Sequence, residues 1–502
     1  MILKERIVKD TLRYTIANYV AMVIGIFVSI GTKAILGTVG AGYWALLKMF
    51  SSYAEMSDLG AREAMLRELP QALGAGETAR GTKIQNCAFS FSSVMSALSG
   101  LAIIAIAFFI VKDPALRRGL LVISMVAVAT QTYNFMLSFL RTFKKIAALS
   151  GVITVNILLV AAFSLAAAWW KGVVGLALGI LAATSISAWN AYRVSGIKIS
   201  IDWDWREILR LISIGIPMVV AGSMLVLFLS VDSMMIGKMI GVQALGLYTI
   251  ALMAVQQVGT LGRFSQIVLY PYIQELYGHD RSLDATRQIF VRTTTALMYF
   301  LPVIIGAISF LIPVIVHYFI PKFSGGLPSM KILVLGYFFI AISELAPTLL
   351  FTIDKQRTLI PVFAALLLAG AGLNYVFIRA GAGIEGVAVA TSIAYFFYFI
   401  AVFYYAFKRI LQGKVLMRLM ASIVGMFVYL AFWVMVIDHF VRVPGFLLES
   451  LVKCAAITAV FLPFILMYER QEHIMTMLFK VFKAKGLAFV KEWGPARDQL
   501  PP

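Results

Sequence analysis

Apolar residues gather into fourteen long runs separated by short polar segments. The runs cover 14–36, 43–59, 84–111, 119–140, 149–170, 173–192 and 208–231 in the first half. In the second half they cover 244–264, 293–316, 330–351, 359–378, 384–407, 416–437 and 446–467. A hydrocarbon core of about 30 Å is crossed by roughly 20 helical residues, so each run is long enough to span a bilayer. Period-two alternation is weak throughout, which favours helices over a barrel. The pattern therefore predicts an all-α polytopic membrane protein of about fourteen transmembrane helices, numbered here as spans one to fourteen.

Part of the pattern repeats about 205 to 211 residues apart. Leu140, Thr142, Lys145 and Leu149 match Leu350, Thr352, Lys355 and Leu359. Gly172, Gly175 and Ala177 match Gly383, Gly386 and Ala388, and Gly37 and Gly42 match Gly241 and Gly246. The offset encloses six spans, an even number, so both copies start on the same side of the membrane. The expected architecture is two six-helix lobes, 1–195 and 196–410, related by a pseudo-two-fold axis along the membrane normal. Residues 411–502 would add two helices and a basic tail. A cavity between the lobes is the expected substrate site; the repeated glycines read equally as close-packing positions.

Composition sharpens this reading. The chain of 502 residues is 61% hydrophobic and 13% charged, about half the charge of a soluble domain. Its net charge of +19 could suggest nucleic acid. Most of the 43 Lys and Arg, however, fall on alternate loops, which are cytoplasmic if the N-terminus is. The surplus is then topology and contact with anionic lipid heads, not a phosphate-tracking groove. Both termini would be cytoplasmic, and no cleavable signal is apparent. The segment from Glu469 reads as a basic amphipathic surface helix. Cys87 and Cys454 read as packing residues, not a disulfide. His279, His317, His439 and His473 are too scattered for a metal, and no cofactor is expected.

Polar residues inside spans carry the chemistry, because each charge at mid-bilayer costs on the order of 2.5–3.5 kcal/mol. Lys48, Ser51, Ser52, Glu55 and Asp58 recur at three- and four-residue steps and form one stripe on span two. That stripe lines either a cavity or a buried ion-pair network. Lys33 either snorkels to the interface or adds charge to the same cavity. Glu344, ahead of Pro347 in span ten, is a coupling-ion candidate or a structural carboxylate; the repeat pairs it with Asn134. Asp232 and Lys238 read as markers of the interface at the far end of span seven. Arg62, Arg67, Arg141, Lys144 and Lys145 are topology determinants or an inner mouth for an anionic head group.

Two motif matches fail. Residues 381–386 spell GxGxxG but precede an apolar run with no strand before them. The 76–83 stretch departs from a P-loop at Gly81-Thr82-Lys83. Without an ATP cradle, transport would be secondary or partner-driven. No loop is long enough to hold the catalytic domain of a glycosyltransferase or polymerase, and the 265–292 loop shows no nucleophile–base arrangement.

Leu36-Gly37, Tyr43-Trp44-Ala45-Leu46, Asp58-Leu59-Gly60 and Arg67-Glu68-Leu69-Pro70 resemble the N-terminal signature of bacterial polysaccharide transport proteins. These are the oligosaccharide-lipid flippases of the multidrug/oligosaccharidyl-lipid/polysaccharide (MOP) superfamily. Ile214-Gly215-Ile216-Pro217 and the 383–390 stretch are similar to that family too. The resemblance implies a multi-pass inner-membrane flippase, not an enzyme, that moves polyprenyl-pyrophosphate-linked oligosaccharide to the outer leaflet by alternating access. The product would feed lipopolysaccharide, capsule or exopolysaccharide synthesis, alongside polymerase and assembly proteins. It implies that Lys33, Lys48 and Arg67 meet the pyrophosphate, while Glu55, Asp58, Asn134 and Glu344 are polar cavity or ion-coupling positions for H+ or Na+. In the related lipid II flippases the extra helix pair lies near the lipid tail, a part spans thirteen and fourteen could play. The alternative within the superfamily is a cation-coupled exporter of drugs or small molecules; fourteen spans and a Lys-bearing span two favour the flippase.

Overall fold

The computed structural model describes residues 2–143, 145–197, 199–260, 283–353 and 355–472. The basic tail beyond Glu472 and most of the 265–292 loop lie outside them. Helices fill the described residues, and twelve are long and apolar enough to cross a membrane. Two of the twelve carry two spans each, which makes fourteen.

Both doubled helices turn at a glycine. The first, Ile2–Ala54, breaks at Gly37, where φ is 65° and ψ −174°. The second, Ile146–Ser195, breaks at Lys171 and Gly172, where φ reaches 59° at the glycine. Only glycine takes such dihedrals without a Cβ clash. Beyond Gly172 the chain folds back on itself. A Cβ on Gly175 would sit 1.9 Å from the Ala167 carbonyl oxygen, and one on Gly179 would sit 2.3 Å from that of Phe163. Spans five and six are thus an antiparallel hairpin with backbones in contact, the packing small residues allow where no hydrophobic effect drives helices together. Lys145 closes its open end, donating from Nζ to the Ser195 carbonyl at 2.6 Å.

The remaining spans follow in order: Thr78–Phe109, Pro114–Thr142, Trp205–Phe228, Val242–Thr260, Leu283–Phe319, Leu359–Arg379, Gly383–Tyr398, Gly413–Phe440 and Phe446–Glu472. Span ten is broken into Leu327–Gly336, Phe338–Ser343 and Leu345–Thr352, with Pro347 in the last piece. Span four is capped by Asp113, whose carboxylate accepts from the Ala115 and Leu116 amides and from the Tyr43 hydroxyl. The Tyr43 hydrogen bond holds that loop carboxyl below its usual range, ahead of the opposing effect of burial.

Buried apolar residues separate into two halves. The largest core runs from Phe228 to Phe461 and takes in Ala41 from the first half, and spans thirteen and fourteen are continuous with it through Leu416, Leu430, Ile457 and Phe461. Three smaller cores hold spans two to six together with Ile208 and Leu211 of span seven. Span seven therefore belongs to the first half at its start and to the second half at its end.

The halves meet through matched glycines. A Cβ on Gly42 would lie 1.9 Å from the Val242 carbonyl oxygen, and one on Gly246 would lie 1.8 Å from that of Thr38. The same 204-residue shift carries Thr38 onto Val242 and Gly42 onto Gly246. Each glycine thus receives the counterpart of the residue its own copy presents, as a two-fold contact requires. At the other end Gly60 and Gly215 touch backbone to backbone. There Arg210 bridges Glu68 at 2.8 Å, and Asn86 clamps Ser200 with hydrogen bonds of 2.6 and 3.2 Å.

Candidate functional site

Span two is largely covered by neighbouring spans. Between residues 41 and 58 Lys48 alone is exposed; its neighbours are buried or half-buried. Leu47 packs on Gly119 of span four, Leu46 on Gly237, and the Tyr53 hydroxyl meets Ser230 Oγ at 2.7 Å. Lys48 is thus the exposed position of a helix whose other residues are wholly or partly covered by neighbouring spans. Lys48 lies eleven residues past the Gly37 turn, about 16 Å of rise, close to mid-depth of the bilayer.

Lys33 joins it. Its side chain is only 8% exposed and donates to Ser29 Oγ at 2.9 Å, so it does not snorkel to the interface. Side chains lean toward the N-terminus of their own helix. Spans one and two run in opposite directions from Gly37, so Lys33 and Lys48 lean toward each other. They lie within electrostatic reach, and Lys48 is in turn within reach of Glu55. Glu55 accepts from Asn134 Nδ2 at 3.3 Å, which ties spans two and four. The structure thus brings Lys33, Lys48, Glu55 and Asn134 into one constellation with a net charge of +1.

Asp58 and Arg67 are placed differently. Span two breaks after Ala54, and Leu59 and Gly60 take positive φ values of 49° and 84° before a new helix, Ala61–Gly74. Asp58 is 1% exposed and holds this break: Oδ1 accepts from the Gly60 amide at 3.1 Å, and Oδ2 lies 3.8 Å from Arg62 Nε. Arg67 lies on the exposed side of the second helix, nineteen residues beyond Lys48. The break at Leu59 and Gly60 puts it on a different helix from the one that carries Lys48.

Glu344 is half-buried at a break in span ten, between Ser343 and Leu345. It interacts electrostatically with Tyr398, which stacks on Phe228 at 5.7 Å and on Phe363 at 5.8 Å.

Asp232 overturns its expectation as an interface marker. Span seven does not end near residue 231; the helix resumes as Val231–Met235 and a π-helical turn, Ile236–Ile240. This sinks Asp232 into the second half, where it is 1% exposed. Its carboxylate accepts from the Ser233 amide and hydroxyl at 2.6 and 3.1 Å and from the Tyr248 hydroxyl at 2.7 Å. All these donors are neutral. Tyr248 also contacts Thr391, which donates to Asn374 Oδ1 at 3.3 Å. A buried carboxylate surrounded by hydroxyl and amide oxygens is a donor set for a proton or a hard monovalent cation. The lone Asn374 within an apolar run was the one sequence signal for this cluster. No group of three or more His, Cys, Asp or Glu side chains among the described residues could hold a metal. Cys87 and Cys454 are free thiols.

A large concavity lies elsewhere. A groove of about 910 Å³ between spans three, four and six is walled by residues such as Leu101, Met125, Val128 and Trp189, with none of the predicted site residues. Its wall is apolar and it is not where the charges gather.

No curated protein matches the chain. The fold of the lipid II flippase MurJ, in an inward closed conformation, superposes with a TM-score of 0.65 at 14% identity over 91% of this chain and 99% of that one. An inward-facing multidrug resistance MATE family transporter gives 0.62 at 13% identity, over 78% and 95%. A MOP superfamily transporter from Pyrococcus furiosus, described by the reverse polarity of its binding pocket, gives 0.52 at 15% identity, over 80% and 95%. At such identities the likeness is one of fold. A family model described as polysaccharide biosynthesis protein matches residues 70–324, just over half of the chain. Over that length, the chain belongs to the polysaccharide biosynthesis protein family.

Proposed function

We propose that the protein is a flippase for polyprenyl-pyrophosphate-linked oligosaccharide, moving it from the cytoplasmic to the outer leaflet of a bacterial inner membrane. The observation that carries this reading is the electrostatic proximity of Lys33 and Lys48, with Glu55 beside them, on two consecutive spans. Two like charges held close in a medium of low dielectric repel, and an anionic guest relieves the repulsion. A pyrophosphate carries enough negative charge to pair with both. Glu55, fixed by Asn134, keeps the empty hollow close to neutral and gives Lys48 an alternative partner once the guest leaves. The polyprenyl tail would stay among acyl chains while the head group crosses. In this reading 1–195 and 196–410 are the rocking lobes, with both termini cytoplasmic. Gly42 and Gly246 make the contact that must open toward the outer leaflet, and Gly60 and Gly215 the one that must open toward the cytoplasm. Arg67 would meet the head group at the inner mouth, one step before the lysines.

Affinity tests this reading. Lys33→Gln and Lys48→Gln should each weaken binding of a short-chain polyprenyl pyrophosphate to the purified protein at least tenfold. Binding of the corresponding neutral polyprenol should be unchanged. Equal pyrophosphate affinity in all three proteins would sink the proposal.

The second reading, a cation-coupled exporter of small molecules, is favoured by one observation: the buried Asp232 cluster, with Glu344 on the same half. In the flippase reading the same cluster couples translocation to H+ or Na+. Asp232→Asn keeps the shape and removes the charge. It should lower gradient-driven transport at least fivefold and leave pyrophosphate binding intact, with Glu344→Gln as the companion variant. Transport indifferent to proton and sodium gradients in the unaltered protein would end the coupling assignment.

A further inference from the structure

A second concavity, of about 440 Å³, lies on the face where span thirteen ends and span fourteen begins. Lys331, Asp438, Arg442, Phe446, Glu449 and Lys453 line it, and none of them belongs to the mid-depth hollow. Lys453 is only 8% exposed and lies 3.1 Å from Asp438 Oδ1 and 2.6 Å from Glu449 Oε1. Lys331 holds the other Asp438 oxygen at 2.5 Å. The two carboxylates are thereby occupied by two lysines. Arg442 is left over: it is 71% exposed, and its approach to Glu449, at 3.8 Å, is too long for a hydrogen bond. Three cations against two carboxylates leave the pocket at +1.

A network built only to pin helices together would close around itself. This one borders a void with room for roughly fifteen waters at about 30 Å³ each. The pocket opens where span ends meet the interface, the depth of lipid phosphates. Arg442 offers a fork of donors suited to a phosphate, and Lys331 offers a point charge beside it. Phe446, stacked on His317 at 4.6 Å, adds an apolar wall against which a glycerol backbone can lie. Lys453 is the fixed part of the site, since it sets both carboxylates and keeps them from competing for the guest.

We propose that this pocket binds the phosphate-bearing head group of an anionic lipid of that leaflet. The site is independent of what passes through the hollow. Such a lipid would seat spans thirteen and fourteen against spans nine and ten at a place where the protein leaves space.

Native mass spectrometry of the full-length protein, titrated separately with phosphatidylglycerol, phosphatidylcholine and inorganic phosphate, tests the assignment. Phosphatidylglycerol should bind at least tenfold more tightly than phosphatidylcholine. Arg442→Gln, at an exposed position where folding is spared, should weaken phosphatidylglycerol at least fivefold, and the double variant with Lys331→Gln further. Lys48→Gln should leave it unchanged. Equal binding of both lipids, or a phosphatidylglycerol affinity unmoved by Arg442→Gln, overturns the site. Tight binding of inorganic phosphate without phosphatidylglycerol binding would make the guest a soluble phosphate and overturn the lipid assignment.

Discussion

Cells whose only copy of this protein carries Lys48→Ala should lose at least nine-tenths of the surface glycan it serves, with normal amounts of the protein in the membrane. The size of the effect follows from where the charge sits. An ammonium at mid-depth costs on the order of 2.5–3.5 kcal/mol to keep there, so removing it does not harm folding through lost solvation. What goes is the partner for the pyrophosphate in the part of the path where water is scarcest. Lys33 alone would face the guest, and Glu55, no longer drawn to Lys48, would repel it. Loss of a charge-assisted pairing of about 1.5–3 kcal/mol corresponds to roughly ten- to hundredfold in affinity. Lys48→Arg should retain much of the activity, because it keeps the charge while enlarging the side chain. Normal surface glycan in the Lys48→Ala strain, with expression verified, would reduce Lys48 to a structural residue.

Gly60→Ala should be among the most damaging single methyls at the described glycines. Two independent costs coincide there. The backbone is left-handed, with φ at 84°, where a side chain costs about 1–2 kcal/mol. The added Cβ would also lie 2.5 Å from the carbonyl carbon and oxygen of Gly215, a backbone that cannot swing aside like a side chain. Overpacking of this kind costs typically 1–3 kcal/mol, so the total is on the order of 2–5 kcal/mol. Thermal unfolding in detergent should fall clearly for Gly60→Ala. It should not move for Gly25→Ala, where the new methyl would meet nothing within 4 Å. An unchanged midpoint for Gly60→Ala would mean that spans two and seven are not in contact at this point in the membrane.

The span pattern was legible because hydrocarbon thickness sets a length that hydropathy measures directly. The turns at Gly37 and Gly172 were also in the sequence, where glycines interrupt apolar runs. The constellation at Lys48 was legible as a stripe, since three- and four-residue spacing places side chains on one face whatever surrounds the helix. Its partner across the turn was only half legible: Lys33 read equally as a snorkelling residue, and what decides between the two is the burial given by neighbouring spans. Asp232 was misplaced for a specific reason. Counting about 20 apolar residues ended span seven too early, whereas the helix resumes through a π-helical turn to Ile240 and carries the carboxylate inward. The pocket around Lys453 was invisible, because Lys331 and Asp438 are 107 residues apart and meet only through packing of spans ten and thirteen. Arg67 was grouped with the lysines by resemblance alone, and the break at Gly60 sets it on a separate helix.

The most direct test is translocation itself. Purified protein in sealed vesicles, given a fluorescent polyprenyl-pyrophosphate oligosaccharide in one leaflet and a membrane-impermeant quencher, reports how much head group crosses the bilayer. The account predicts rapid crossing that Lys48→Ala slows at least tenfold, with no comparable transport of a cationic dye. Transport of the dye while the glycolipid stays in its leaflet would contradict it.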